Sequence, residues 1–81
     1  MRSDVVSPYR TDDLHQAAYL WCHGVEPHLE SAGPNKVVFV FDDPRSSVLL
    51  DEYVQGKARV EPLRFSAAVR ELKRRVKELT R

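Results

Sequence analysis

The run Lys36-Val37-Val38-Phe39-Val40-Phe41 constrains the fold more than any other part of this chain. From Val37 onward every residue is β-branched or aromatic, a composition that suits a pleated strand. Successive side chains of a strand point to opposite faces. Val37, Phe39 and Phe41 therefore share one face, and Val38 and Val40 share the other. Both faces are apolar, and both need cover. Its ends are well marked. Ala32-Gly33-Pro34-Asn35 before it is turn chemistry, and Asp42-Asp43 closes it.

The elements around this strand read in the order β-α-β-β-α-α. Val5 to Arg10 suits a short strand, with Pro8 favouring an edge position. Thr11 can then cap a helix through its hydroxyl, with Asp12 and Asp13 placed where the helix dipole favours negative charge. Leu14, Ala17, Ala18 and Trp21 form its apolar stripe, and Gly24 ends it after His23. Val25 to Ser31 reads as a second strand, where Pro27 again argues for an edge. Asp43-Pro44 reads as the cap and first position of a second helix running to about Gln55 and stopped by Gly56, with Val48, Leu49, Leu50 and Tyr53 facing inward. Lys57 to Glu61 connects to a last helix opened by Pro62, and Val60 pins the connection to the core.

The fold class that follows is α+β: a small three-stranded, mostly antiparallel sheet with helices packed on one face. Were strands 1 and 3 parallel, the crossover between them would be right-handed. Three helices of this size cover one face only. The second face, carrying Val38 and Val40, or an open sheet edge, is therefore expected to be covered by another copy of the chain, giving a homodimer. The alternative is cover from helix 1 or the N-terminal segment.

Eighty-one residues make a single domain, 1–81, with residues 1–4 loose. A chain this short buries only about two-thirds of its unfolded surface, so its stability is modest. Cys22 is its single cysteine, which removes any disulfide framework and suits a reducing cytosol. No run approaches the roughly 20 apolar residues of a membrane span, and Met1-Arg2-Ser3-Asp4 leads into no signal core. The expected setting is the cytoplasm.

Signals for catalysis or metal binding are sparse. Cys22-His23 followed by His28 does not have zinc-site spacing, and His15 with Cys22 would give only two ligands. Adjacent residues on a helix point about 100° apart, which is wrong for a Cys22–His23 nucleophile–base pair. Ser46 and Ser47 fall in the first turn of helix 2, outside any nucleophile elbow. The acidic pairs Asp12-Asp13 and Asp42-Asp43 sit at helix starts, and Asp51-Glu52 sits on an exposed helix face. The 3 glycines punctuate elements and build no phosphate loop. No cofactor is implied.

Residues 62–81 carry the clearest functional signal. Leu63, Phe65, Ala68, Val69, Leu72, Val76 and Leu79 recur at helical spacing, while Arg70, Arg74, Lys77 and Arg81 fall opposite, with Lys73 beside them. The segment holds seven Lys/Arg against two Asp/Glu, net +5, whereas the other residues carry net −4. Arg70, Lys73, Arg74, Lys77 and Arg81 are thus the candidate contacts for nucleic-acid phosphates or for an acidic protein surface. Glu71 can pair with Arg75, and Arg74 with Glu78, at i, i+4. No aromatic residue interleaves with the stripe, which leaves a single-strand stacking platform unsupported. The reading is a non-enzymatic binding domain that associates with itself and contacts nucleic acid. An adaptor docking on an acidic partner is the alternative, and a small enzyme with a cleft lined by His15, His23 or His28 competes with both.

Tyr9-Arg10-Thr11-Asp12-Asp13-Leu14, then Ala17-Ala18-Tyr19-Leu20 and Cys22-His23-Gly24, resembles the opening of a family of small uncharacterised bacterial domains, a domain of unknown function. That family has a T/S-D-L-x-x-A-A-x-L helix start. A strand like Val37 to Asp42 follows, and a tail like Gly56 to Pro62, with Phe65, leads into a helix like Ala68-x₃-Leu72-Lys73. The resemblance covers roughly residues 9–76. It implies a fold and assigns no functional residue.

Overall fold

The computed structural model describes residues 9–80 of the chain. The expected strand residues Val5 to Pro8, the loose residues 1–4 and Arg81 lie outside the described residues. Within them the order is β1 (Tyr9–Thr11), α1 (Leu14–Cys22), β2 (His28–Gly33), β3 (Lys36–Phe41), α2 (Arg45–Val54) and α3 (Pro62–Thr80). This is the α+β order read from the sequence.

Strand β3 occupies the middle of the sheet, in the order β1-β3-β2, and runs antiparallel to both neighbours. The parallel strands are therefore β1 and β2, with α1 between them in the chain, and not the first and third. The β2–β3 hairpin turns through Pro34 and Asn35, since Gly33 already pairs with Lys36. Asn35 takes φ +58°, a left-handed conformation that asparagine tolerates better than most residues. Ala32 has no partner between the Ser31 and Gly33 pairs, a bulge at the tip of this edge strand.

One helix and one strand start later than expected. Asp13 caps α1, its Oδ1 accepting from the backbone N–H groups of His15 (2.9 Å) and Gln16 (3.1 Å). Thr11 stays in β1, and its hydroxyl instead accepts from the Asp13 N–H and donates to Gln16 Oε1. A carboxylate directly before the first turn reaches two orphan donors, and a threonine two residues earlier cannot. Strand β2 likewise starts at His28, because Val25 serves the helix end. Its N–H donates to the Leu20 carbonyl while that of Gly24, at φ +85°, donates to Trp21. This is the Schellman arrangement, and Val25 is its buried apolar residue. Helix α2 ends the same way at Gly56.

The core lies between the sheet and the α1–α3 pair. Ala17, Ala18, Leu20, Val25, Phe39, Phe41, Leu50 and Leu72 form one buried cluster. Tyr9, opposite Phe41, extends it and donates its hydroxyl proton to Gln16 Oε1. Two stripe residues depart from the helical pattern. Val48 is 62% exposed, whereas Leu50 is buried and Leu49 and Tyr53 are half-buried, so of the four α2 residues expected to face inward only Val48 does not. Leu63 is 78% exposed, and its neighbours Pro62 and Arg64 in the first turn of α3 are exposed too.

The second sheet face has a different cover from the one expected. Val40 is only 2% exposed within the single chain, and Val38 is half-buried. Arg10 and His28 flank Val40 from the neighbouring strands, and Glu30 opposes Val38. The Arg10 guanidinium reaches Glu30 Oε1 at 2.5 Å, a diagonal bridge from β1 to β2 over β3. The aliphatic stem of an arginine can shield apolar surface in this way while its head stays wet. Val40 thus leaves no area for a second copy to cover.

Truncating one buried and one exposed leucine of α3 separates these assignments. Leu72→Ala should cost about 2–5 kcal/mol, because Leu72 is fully buried. Leu63→Ala should stay within about 0.5 kcal/mol. Urea denaturation of the two variants measures both.

Candidate functional site

Helix α3 is positioned by what lies beneath it. Glu61 caps its start, accepting the Arg64 N–H at 2.6 Å, and Pro62 takes the first position, where its missing N–H costs nothing. Leu72 is buried, and Phe65, Ala68, Val69 and Val76 pack half-buried against the core. With that stripe held down, Arg70, Lys73, Arg74 and Lys77 face solvent.

The basic residues of α3 divide into two groups. Arg74 donates to Glu78 at 2.7 Å and grips both oxygens of Glu71, so it is bridged on either side. Arg75 donates to the same Glu71 (3.2 Å) and to Glu26 (3.3 Å), with its guanidinium 4.6 Å from the centre of the Trp21 ring. Hydrogen bonds from Arg74 first, and then from Arg75, pull the Glu71 carboxyl down from its ordinary 4.5 to about 2. The two i, i+4 pairs expected from the sequence are both present. Their consequence is that Arg74 belongs to an internal network. Arg70, Lys73 and Lys77 make no ion pair among the described residues. Arg81 lies outside the described residues.

Lys73 and Lys77 also border an apolar groove of about 350 Å³ between α3, the start of α1 and the inner face of β3. Leu14, Val37, Phe39 and Val76 line it, and Asp12 stands at its rim. Sequence periodicity assigns all four apolar residues to the core. It carries no signal that the helices leave a gap above Val37, since that depends on where α1 starts and how α3 crosses the sheet.

The histidines do not meet. His15 stacks on Phe65, with ring centroids 6.1 Å apart. His23 lies edge-on to Tyr19, its Nε2 3.2 Å from the Arg59 carbonyl oxygen. His28 sits on the outer sheet face, 3.4 Å from Glu30 and 3.8 Å from Asp42. Cys22 shares a wider concavity with Trp21, His23 and Arg64 between α1 and α3. Burial pushes its thiol up, and the nearby Arg64 only partly opposes this. The thiol is therefore poorly placed to act as a thiolate near neutral pH.

The acidic pairs are dispersed as well. Asp13 and Asp43 are occupied at helix starts, Asp43 accepting the Arg45 N–H at 2.8 Å and pairing with the Arg45 side chain at 2.7 Å. Glu52 accepts from the Tyr19 hydroxyl at 3.3 Å. Among the described residues, no three His, Cys, Asp or Glu side chains gather as a metal-ligand set. Nor is any helix long and apolar enough to cross a membrane.

Residues 7–78 match the family described as Domain of unknown function (DUF5659), and the chain belongs to that family. The match spans the region on which the sequence resemblance rests. No curated protein and no solved structure matches the chain.

The Glu71 network sets an acid dependence of known sign. A carboxyl whose folded value is depressed stabilises the fold fully above its unfolded value and loses that contribution as pH falls. Glu71→Gln should therefore lower the melting temperature at neutral pH. The gap to wild type should narrow below pH 4.5 and close near pH 2. Thermal melts across that range, read by circular dichroism, measure it.

Proposed function

We propose that this domain is a non-enzymatic binding module whose cationic α3 face engages an acidic polypeptide. One observation carries the reading. Arg70, Lys73 and Lys77 stand at i, i+3, i+7 on one exposed helix face without an ion pair among the described residues, while acids of the chain itself hold Arg74 and Arg75. A helix evolved only for solubility gains a few tenths of a kcal/mol from each such pairing. Three adjacent cations left without one are available for charge-assisted hydrogen bonds to carboxylates. The groove beside Lys73 and Lys77 favours a polypeptide, because a phosphate backbone has no use for apolar surface.

A nucleic-acid partner is the second reading, supported by the straight spacing of the stripe. Arg70 to Lys77 spans about 10 Å at 1.5 Å per residue. Three cations of this kind would give a log–log salt slope of about −2.7 on duplex DNA. The acidic remainder of the chain, at net −4, must then face away from the duplex.

Retention of the protein on immobilised polyglutamate and on duplex DNA, across a salt gradient, distinguishes the two. Stronger retention on polyglutamate is expected. Replacing Arg70, Lys73 and Lys77 together with Gln should abolish it and leave the melting curve nearly unchanged. Stronger, steeply salt-dependent retention on DNA would reverse the assignment. Failure on both supports at low salt would end both readings.

A further inference from the structure

The groove beside Lys73 and Lys77 has three properties that together select an occupant. Its wall is hydrocarbon: Leu14 from α1, Val37 and Phe39 from β3, and Val76 from α3. Its volume of about 350 Å³ lies at the low end of ligand-site volumes and suits one large side chain better than an extended cofactor. Its α3 rim carries two lysines one helical turn apart, neither in an ion pair among the described residues.

We infer that the groove is the anchor pocket of the acidic partner, taking one bulky apolar side chain, aromatic or leucine, from a segment whose flanking carboxylates pair with Lys73 and Lys77. The inference rests on the proposed acidic-polypeptide reading and adds the feature that the partner must carry. Charge complementarity decides the occupant. A neutral apolar segment would leave both lysines unanswered, and a basic one would meet them with like charge. Asp12 on the α1 side does not oppose this assignment. It can accept a backbone N–H from a bound segment, and it disfavours carboxylates on that side, so the acids of the partner are directed toward α3. Arg70, a turn before Lys73, extends the same rail toward further acids. The recognition mode is a central apolar anchor with a charged rim, in which the anchor supplies affinity and the charges set orientation.

Fluorescence anisotropy with two short Asp/Glu-rich peptides tests this, one carrying a single central Phe and the other Ser at that place. The wild-type domain should bind the Phe peptide about 10-fold more tightly or better, the factor expected when one aromatic side chain leaves water. Leu14→Gln and Val76→Gln should each erase most of that preference. Both positions are only half-buried, and the melting curve of each variant verifies its folding. Lys73→Gln with Lys77→Gln should weaken both peptides while keeping the preference for Phe. As an independent readout, amide shifts should move at Val37, Phe39 and Val76 with the Phe peptide only. Equal affinities for the two peptides would overturn the anchor pocket and leave the acidic-partner reading standing. Binding of neither at low salt would overturn both.

Discussion

The molecule hangs on one seam. Ala17 and Ala18 of α1 and Leu72 of α3 are fully buried in one cluster with Phe39. Alanine is what makes the seam close. Two adjacent residues without bulk let a second helix approach, and the leucine fills the space between helix and sheet. Once Leu72 is fixed, the rotation of α3 is fixed with it. A stripe about half a turn away must then face water, and that stripe is Arg70, Lys73, Arg74 and Lys77. The position of the cationic face is thus a packing consequence before it is an electrostatic one.

Electrostatics then selects among the cations. Glu71 and Glu78 stand one turn to either side of Arg74, and a guanidinium has enough donors to serve both. Exposed pairs of this kind contribute little to stability. They still change what a partner meets. Two acids against one arginine leave that stretch with no positive surplus, and Arg75 is drawn toward Trp21 and Glu26. The surplus that survives is carried by Arg70, Lys73 and Lys77. Two of those three border the apolar groove lined by Leu14, Val37, Phe39 and Val76.

Much of this is legible in the amino-acid sequence. The β-branched and aromatic run from Val37 to Phe41 marks β3, and Gly24, Gly56 and Pro62 mark helix boundaries at their true positions. Local chemistry suffices there, because a cap or a turn depends on residues within a few positions of one another. The failures share a different cause. Thr11 and Asp13 are both good caps, and pairing of Thr11 with Phe39 in the sheet decides between them. Val48, Leu49 and Leu50 are consecutive apolar residues, and the placement of α2 decides that Val48 is the exposed one. The site divides in the same way. The stripe follows from period 3.6, and the Glu71 and Glu78 pairings follow from i, i+4. The groove and the Trp21–Arg75–Glu26 contact join residues far apart in the chain, and no local rule links them.

The outer sheet face shows how a charged residue can help cover an apolar one. Hydrophobic patterning alone reads Val38 and Val40 as an apolar patch in need of a lid. It ignores the residues that strand order brings alongside. Arg10 arrives from β1 and Glu30 from β2, on either side of β3, and the arginine side chain spans the gap. Their bridge closes over β3, and His28 stands between Glu30 and Asp42 on the same face. Arg10 and Glu30 also place charge on both edge strands, and the Ala32 bulge disrupts the pairing register of β2. Each of these features discourages edge-to-edge pairing. Val40 is therefore buried within the single chain while Val38 stays half-buried, and the surface left with unanswered chemistry is the opposite layer, where α3 meets the inner sheet.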